Sequence, residues 1–259
     1  MKYFSIIFVL FSFSSLVGQN LNIKKSDGTY VYFELTNDVV LYFNSPPCPG
    51  AEKVYYEGGP NNDGQDYYNT IQLGNQCWLK QNLNIGTMIH GTHEQQNNGI
   101  IEKYYYNQNL DNGATYGGLY QWAEAVAYQN NASNYSSPNP AFSGNIQGIC
   151  PEGWHIPTIE EFITLQSTVE GSANSLKAVG QGTGDGIGTN KSGFSALLGG
   201  YRLNEFGQYI NITIGGYFWT SSESSINKAN FMSLYNNTNT IGTSNSDKIK
   251  GKSIRCIKD

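Results

Sequence analysis

Residues 150–162 read Cys-Pro-Glu-Gly-Trp-His-Ile-Pro-Thr-Ile-Glu-Glu-Phe, and several independent local rules agree there on one geometry, a strand end running into a capped helix. Thr158 stands at the N-cap, and Glu161, three residues on, is spaced to reach back to the freed backbone N–H. Pro157 forbids an earlier start. Beyond the cap, Ile159, Phe162, Ile163, Leu165 and Val169 recur at helical spacing, so one face of roughly three turns can bury against a sheet. Gly171 ends it. Trp154 and Ile156, two apart on the entering strand, face the same core. A chain organised around this corner needs at least one helix laid on a sheet.

The length of 259 residues is enough for a sizeable core without special help. Only 14% of the residues are charged, while the chain carries 19 Tyr and 30 Gly. Its surface is therefore made of Asn, Ser, Thr, Gly and Tyr, which suits short strands, many turns and neutral polar ligands. A net charge of −5 with no basic run argues against nucleic-acid partners. Residues 1–18 place an apolar stretch after Lys2 and end at Gly18. That pattern predicts a secretory signal peptide, hence a secreted or outer-surface protein with no membrane span once it is removed. In an exported chain, Cys48, Cys77, Cys150 and Cys256 imply two disulfides in one of three connectivities.

Residues 19–45 read as a small N-terminal β module: two short strands either side of Asp27-Gly28 and a third carrying Val39, Leu41 and Phe43. Residues 46–62, with Pro46-Pro47-Cys48-Pro49, read as a stiff linker. The main domain, 63–259, opens with two strands around Gly74-Asn75. A glycine turn at 117–118 adjoins a short helix, 129–148 reads as a surface loop, and 216–223 with 229–235 reads as a strand pair.

Five motifs in this domain resemble, in order, the signature of the Fibrobacter succinogenes major paralogous domain, a family of bacterial surface and secreted proteins. They are Gly74-x-Gln76-x-Trp78-x-x-x-Asn82-Leu83, Thr115 to Ala125, the corner at 150–162, Phe194-x-Ala196-Leu197-x-Gly199-Gly200-x-Arg202, and Ser253-Ile254-Arg255-Cys256. Phe231 stands where the family usually has Trp. The corner is more distantly similar to a segment of the sulfatase-modifying-factor branch of C-type-lectin-like folds. The resemblance implies an α+β, C-type-lectin-like domain with short twisted antiparallel strands, one or two main helices and long loops. It also implies the pairings Cys48–Cys77 and Cys150–Cys256, the second clamping the last strand. By the same analogy, the loops at 129–143, 180–193 and 235–247 would form the ligand face.

The expected function is a non-catalytic recognition module, binding polysaccharide or a surface protein. Competing expectations are a divergent enzyme of the sulfatase-modifying type and a structural envelope component. No catalytic residue stands out: Glu160 and Glu161, adjacent on a helix, point about 100° apart. His90 and His93 sit in a loop interrupted by glycine, and packing accounts for His155. Trp78, Trp122, Trp154 and Trp219 are expected in the core. Tyr105, Tyr120, Tyr217 and Glu223 are the ligand-binding candidates, since a rigid ring offers contact area at little entropic cost. No cofactor is expected. For calcium, the loop at 184–190 offers oxygens at Asp185 and Asn190, although its glycines are equally what a turn requires.

Overall fold

The computed structural model describes residues 20–24, 30–34, 45–203 and 206–259. The chain divides into two units, residues 1–43 and 44–259. In the first, strands Asn20–Lys24 and Tyr30–Glu34 pair antiparallel, Asn20 opposite Glu34 and Lys24 opposite Tyr30. The Asp27-Gly28 turn, the third strand expected at Val39 to Phe43 and residues 1–18 lie outside the described residues.

The second unit is α+β with the sheets dominant. One sheet runs in the order Lys53–Tyr55, Asp66–Leu73, Gln76–Leu79, Ile257–Lys258, Trp154–His155, with Asn61–Asn62 also pairing on Asp66–Leu73. The other runs Tyr209–Ile212, Gly199–Arg202, Gly215–Ser225, Lys228–Tyr235, Ile241–Asp247. Strands Asp66–Leu73 and Gln76–Leu79 join through a two-residue loop, Leu73 opposite Gln76. Gly74 supplies it with a positive φ of 59°. Among the described residues, no helix is long and apolar enough to cross a membrane.

The period of two along the strands sorts side chains into two cores. Tyr217 and Trp219 enter one core while Phe218, between them, enters the other; on the partner strand, Ala229 and Phe231 join the first, and Met232 and Leu234 the second. Burial on both faces explains why 217–219 is an unbroken aromatic run instead of an alternating one. The corner bridges the two bodies. Trp154 and Ile156 pack in the first core, and Phe162 and Leu165 in the second, where the Phe162 ring stacks 5.2 Å from Trp78. Helix Ile159–Thr168 carries the expected capping box, Glu161 N donating to Thr158 Oγ1 at 3.2 Å and Thr158 N to Glu161 Oε2 at 2.7 Å. Ile163, expected on the buried face, is half exposed, because Phe162 and Leu165 already fill the contact with the sheet. All four tryptophans are buried.

Two boundary expectations are corrected. Residues 46–62 are no linker: Cys48 is fully buried, its N–H bonds Thr70 Oγ1 at 3.0 Å, and both Lys53–Tyr55 and Asn61–Asn62 are sheet strands. The segment 235–247 is only half a loop, since Ile241–Asp247 pairs along Lys228–Tyr235 from Ile241 opposite Leu234 to Asp247 opposite Lys228. Its sequence, Ile-Gly-Thr-Ser-Asn-Ser-Asp, lacks the apolar alternation that marks a strand.

Two cations, Lys252 and Lys177, enter this interior on neutral partners. Lys252 is 1% exposed, its Nζ donating to Ser246 Oγ at 2.9 Å and lying 4.2 Å from the Trp219 ring centre and 4.6 Å from that of Phe231. Burial above all drives its pKa well below the usual lysine value. Lys177, fully buried, donates to the carbonyls of Gly186, Tyr235 (2.8 Å) and Thr238 (2.9 Å).

Candidate functional site

The segment leaving strand Gln76–Leu79, the end of helix Leu110–Tyr116, residues 195–197 and Arg255 converge on a cleft of about 310 Å³. It is lined by Lys80, Gln81, Asn82, Asn84, Thr115, Tyr116, Ser195 and Leu197, with Gly58 and Pro60. Four of the five motifs quoted above therefore meet here, although Asn82 and Arg255 are 173 residues apart in the chain.

Asn82 is the knot. Its Oδ1 accepts from Arg255 Nε at 3.1 Å and Nη2 at 2.8 Å, while its Nδ2 donates to Tyr116 O at 2.8 Å and Ser253 Oγ at 3.3 Å. The remaining guanidinium donors of Arg255 reach the carbonyls of Leu79 (3.2 Å), Lys80 (2.6 Å) and Phe194 (2.7 Å), and the group lies 4.6 Å from the Phe194 ring centre. Arg255 is 1% exposed, and burial pulls its pKa down to about 9. Beside it Lys80 is half-buried, its pKa lowered by burial and then by the Arg255 charge. Asn84 donates its N–H to Tyr68 Oη at 3.0 Å and its Nδ2 to Gly113 O at 3.3 Å, but its buried Oδ1 has no hydrogen-bond partner. The tight wall depends on Gly117, at φ +81°, where a Cβ would come within 2.9 Å of Leu83 O.

The sequence-level candidates fall elsewhere. Tyr105 packs its half-buried ring against Gly113, behind the cleft wall, with Lys103 Nζ 5.1 Å from its centre. Tyr120 is fully buried, donating its hydroxyl to Ile85 O at 2.9 Å, so it is core and not a ligand contact. Tyr217, 5% exposed, accepts from Asn211 Nδ2 at 2.7 Å and packs edge-on to Tyr201 at 4.8 Å. Glu223 accepts from the Lys248 ammonium, which lies 4.3 Å from the Trp122 ring centre. These four residues are held by different neighbours and do not form one surface.

The two calcium candidates, Asp185 and Asn190, have different surroundings. Within the 184–190 loop the Gly186 carbonyl, together with those of Tyr235 and Thr238, accepts from the Lys177 ammonium, a cation built into the chain. Asn190 is committed to Ser195, accepting from its N–H at 2.9 Å and donating to its Oγ at 3.0 Å, while Asp185 is exposed with its carbonyl bonded to Asn174 Nδ2 at 2.8 Å. Among the described residues, no group of three or more His, Cys, Asp or Glu is placed to hold a metal ion.

Of the expected disulfides, Cys150–Cys256 is present, with Cα atoms 6.0 Å apart. Cys48 and Cys77 are free thiols, which corrects the other pairing. Cys48 Sγ donates to Ile71 O at 3.4 Å, and burial, with the adjacent Cys77 thiol, pushes its pKa up to about 12. A nucleophilic cysteine needs the opposite shift. His155, buried, bridges two carboxylates, Glu161 Oε1 at 2.9 Å from Nε2 and Asp259 Oδ1 at 2.7 Å from Nδ1. Burial lowers its pKa, but the hydrogen bonds and charges of Glu161 and Asp259 outweigh that and hold it above the ordinary imidazole value.

The residues that line the cleft were missed because alternation reports which way a side chain faces, not which distant segment it meets. A faint signal was available in Ile254-Arg255-Cys256, where a cation sits in an otherwise apolar closing segment. Comparison with curated proteins and with solved structures gave no match. The model of the Fibrobacter succinogenes major domain matches residues 71–258, which include Asn82 and Arg255 and the whole of the sheet from Tyr209–Ile212 to Ile241–Asp247. The chain therefore belongs to the Fibrobacter succinogenes major domain family.

Proposed function

We propose that this protein is an exported, non-catalytic recognition module and that the cleft around Asn82 is where it takes its ligand, a saccharide unit of a polysaccharide. The observation that carries this reading is the lining: the neutral polar residues Gln81, Asn82, Asn84, Thr115, Tyr116 and Ser195 arrayed around one concavity. Hydroxyl-rich ligands are recognised by convergent neutral donors and acceptors of this kind. Such a role needs no titrating pair, and it agrees with the raised pKa of Cys48 and with the commitment of His155 to two carboxylates. The likeness of the 154–161 corner to C-type-lectin-like folds supports the same class, as does the arrangement of short antiparallel strands around two cores. The apolar stretch behind Lys2 and the Cys150–Cys256 bond support export to an oxidising compartment.

The test is a glycan array probed with the purified protein, followed by calorimetric titration of each hit against wild type and Ser195→Trp, which adds a bulky ring to the cleft wall. Saccharide binding that Ser195→Trp abolishes is the expected result. An array blank at high protein concentration would remove the reading.

A further inference from the structure

The charge of the cleft is one-sided. Two of its lining side chains are cationic, Lys80 and Arg255, and none is a carboxylate. Arg255 is surrounded by neutral acceptors only, three main-chain carbonyls and Asn82 Oδ1. Its donors are thus used inside the protein while its charge stays uncompensated. Lys80 faces the cleft with neither an acceptor nor a carboxylate for its ammonium among the described residues, and the neighbours that act on its protonation are burial and the Arg255 cation alone. A protein of net charge −5 has carboxylates to offer, yet this site has none. Two adjacent cations left unneutralised repel each other, and a ligand that brings a negative charge relieves that repulsion.

Resting on the saccharide reading above, we propose that the ligand is an acidic sugar, its carboxylate set against Lys80 Nζ. Arg255, each of whose nitrogens already donates to a protein acceptor, supplies a fixed positive field, and Lys80 supplies the direct hydrogen bond. One free ammonium matches a monoanion; sites for phosphate dianions gather several N–H donors or an arginine fork. A uronic-acid unit of a polysaccharide supplies such a monoanion among neutral hydroxyls.

Calorimetric titration of the full chain with oligogalacturonate, neutral galactan oligomers, a sulfated galactan and inorganic phosphate tests this. Oligogalacturonate should bind at least about 10-fold more tightly than the neutral oligomers, with an affinity that falls as salt is raised. Lys80→Met should weaken oligogalacturonate binding about 10- to 100-fold, the range expected for one charge-assisted hydrogen bond, and Lys80→Arg should keep most of it. Thermal unfolding of each variant shows that the loss is not a loss of fold. Neutral oligomers binding as tightly as acidic ones, with Lys80→Met unchanged, would overturn the acidic-sugar assignment and leave the saccharide reading standing. Sulfated galactan or phosphate binding more tightly than oligogalacturonate would overturn the choice of carboxylate. No binding by any saccharide would bring down both.

Discussion

Replacing Glu124 by Gln should make this protein more stable at neutral pH and leave it nearly unchanged in mild acid. Glu124 sits in the short helix Trp122–Ala125 at 3% exposure. Burial raises its pKa to about 7, against the opposing hydrogen bonds from Glu102 N (3.0 Å) and Tyr128 Oη (3.0 Å), and the Glu102 charge adds to the rise. The unfolded chain releases this proton near 4.5, while the folded one keeps it until about 7. In between the native state binds more protons, so stability falls as pH rises through that window and stays lowered above it. The gap corresponds to about 3 kcal/mol. Glutamine keeps the shape, still accepts from Glu102 N, and can donate to the Tyr128 hydroxyl, but carries no charge to desolvate. Urea denaturation of both proteins across this range gives the difference directly. The variant-minus-wild-type stability should climb by about 3 kcal/mol between pH 4.5 and pH 7. A difference that is flat with pH would refute the reasoning.

Three further outcomes are expected. Replacing Cys150 and Cys256 together by serine opens a loop of 106 residues, which the chain-entropy treatment puts at about 5 kcal/mol; a denaturant midpoint that barely moves would show that the closing segment is held without the bond. The His155 bridge should strengthen the fold below the ordinary imidazole value of 6.5 and lose that contribution as pH rises through the raised one, while Glu161, whose pKa is lowered as His155 and the Thr158 N–H outweigh its burial, loses its contribution as pH falls below 4.5. Thermal unfolding across pH should show both limbs in wild type; His155→Gln should lose its own limb and keep a reduced acid limb, because the Thr158 N–H still holds Glu161. Asn82→Ala strips Arg255 of its only side-chain acceptor and frees Tyr116 O, at a cost of about 3 kcal/mol; a loss under 1 kcal/mol by urea titration would mean that water replaces the amide fully.

The corner at 150–162 was legible because capping, proline and helical spacing are local and all agreed there; the Thr158–Glu161 box and the burial of Trp154, Ile156, Phe162 and Leu165 followed. The Gly74 hairpin was legible for the same reason. The strand Ile241–Asp247 was not, since its polar residues form a strand only by lying along Lys228–Tyr235. Tyr120 read as a surface aromatic because nothing adjacent in sequence reveals that Ile85 O waits for its hydroxyl. The cleft was invisible for a related reason: Lys80, Asn82 and Arg255 each look ordinary in their own segment and acquire meaning only when the chain's end returns beside residue 82.

Six basic side chains, Lys103, Lys177, Arg202, Lys248, Lys252 and Arg255, are withdrawn from water, whereas Glu124 is the one carboxylate so deeply enclosed among the described residues. Among the described residues, the charged groups at the water boundary are therefore richer in carboxylates than the composition of the chain suggests. An acidic polymer of the kind proposed above would meet like charge over much of that surface and relief at the cleft beside Lys80. Discrimination among such polymers then rests on keeping them away from every other face as much as on what the cleft itself can grip.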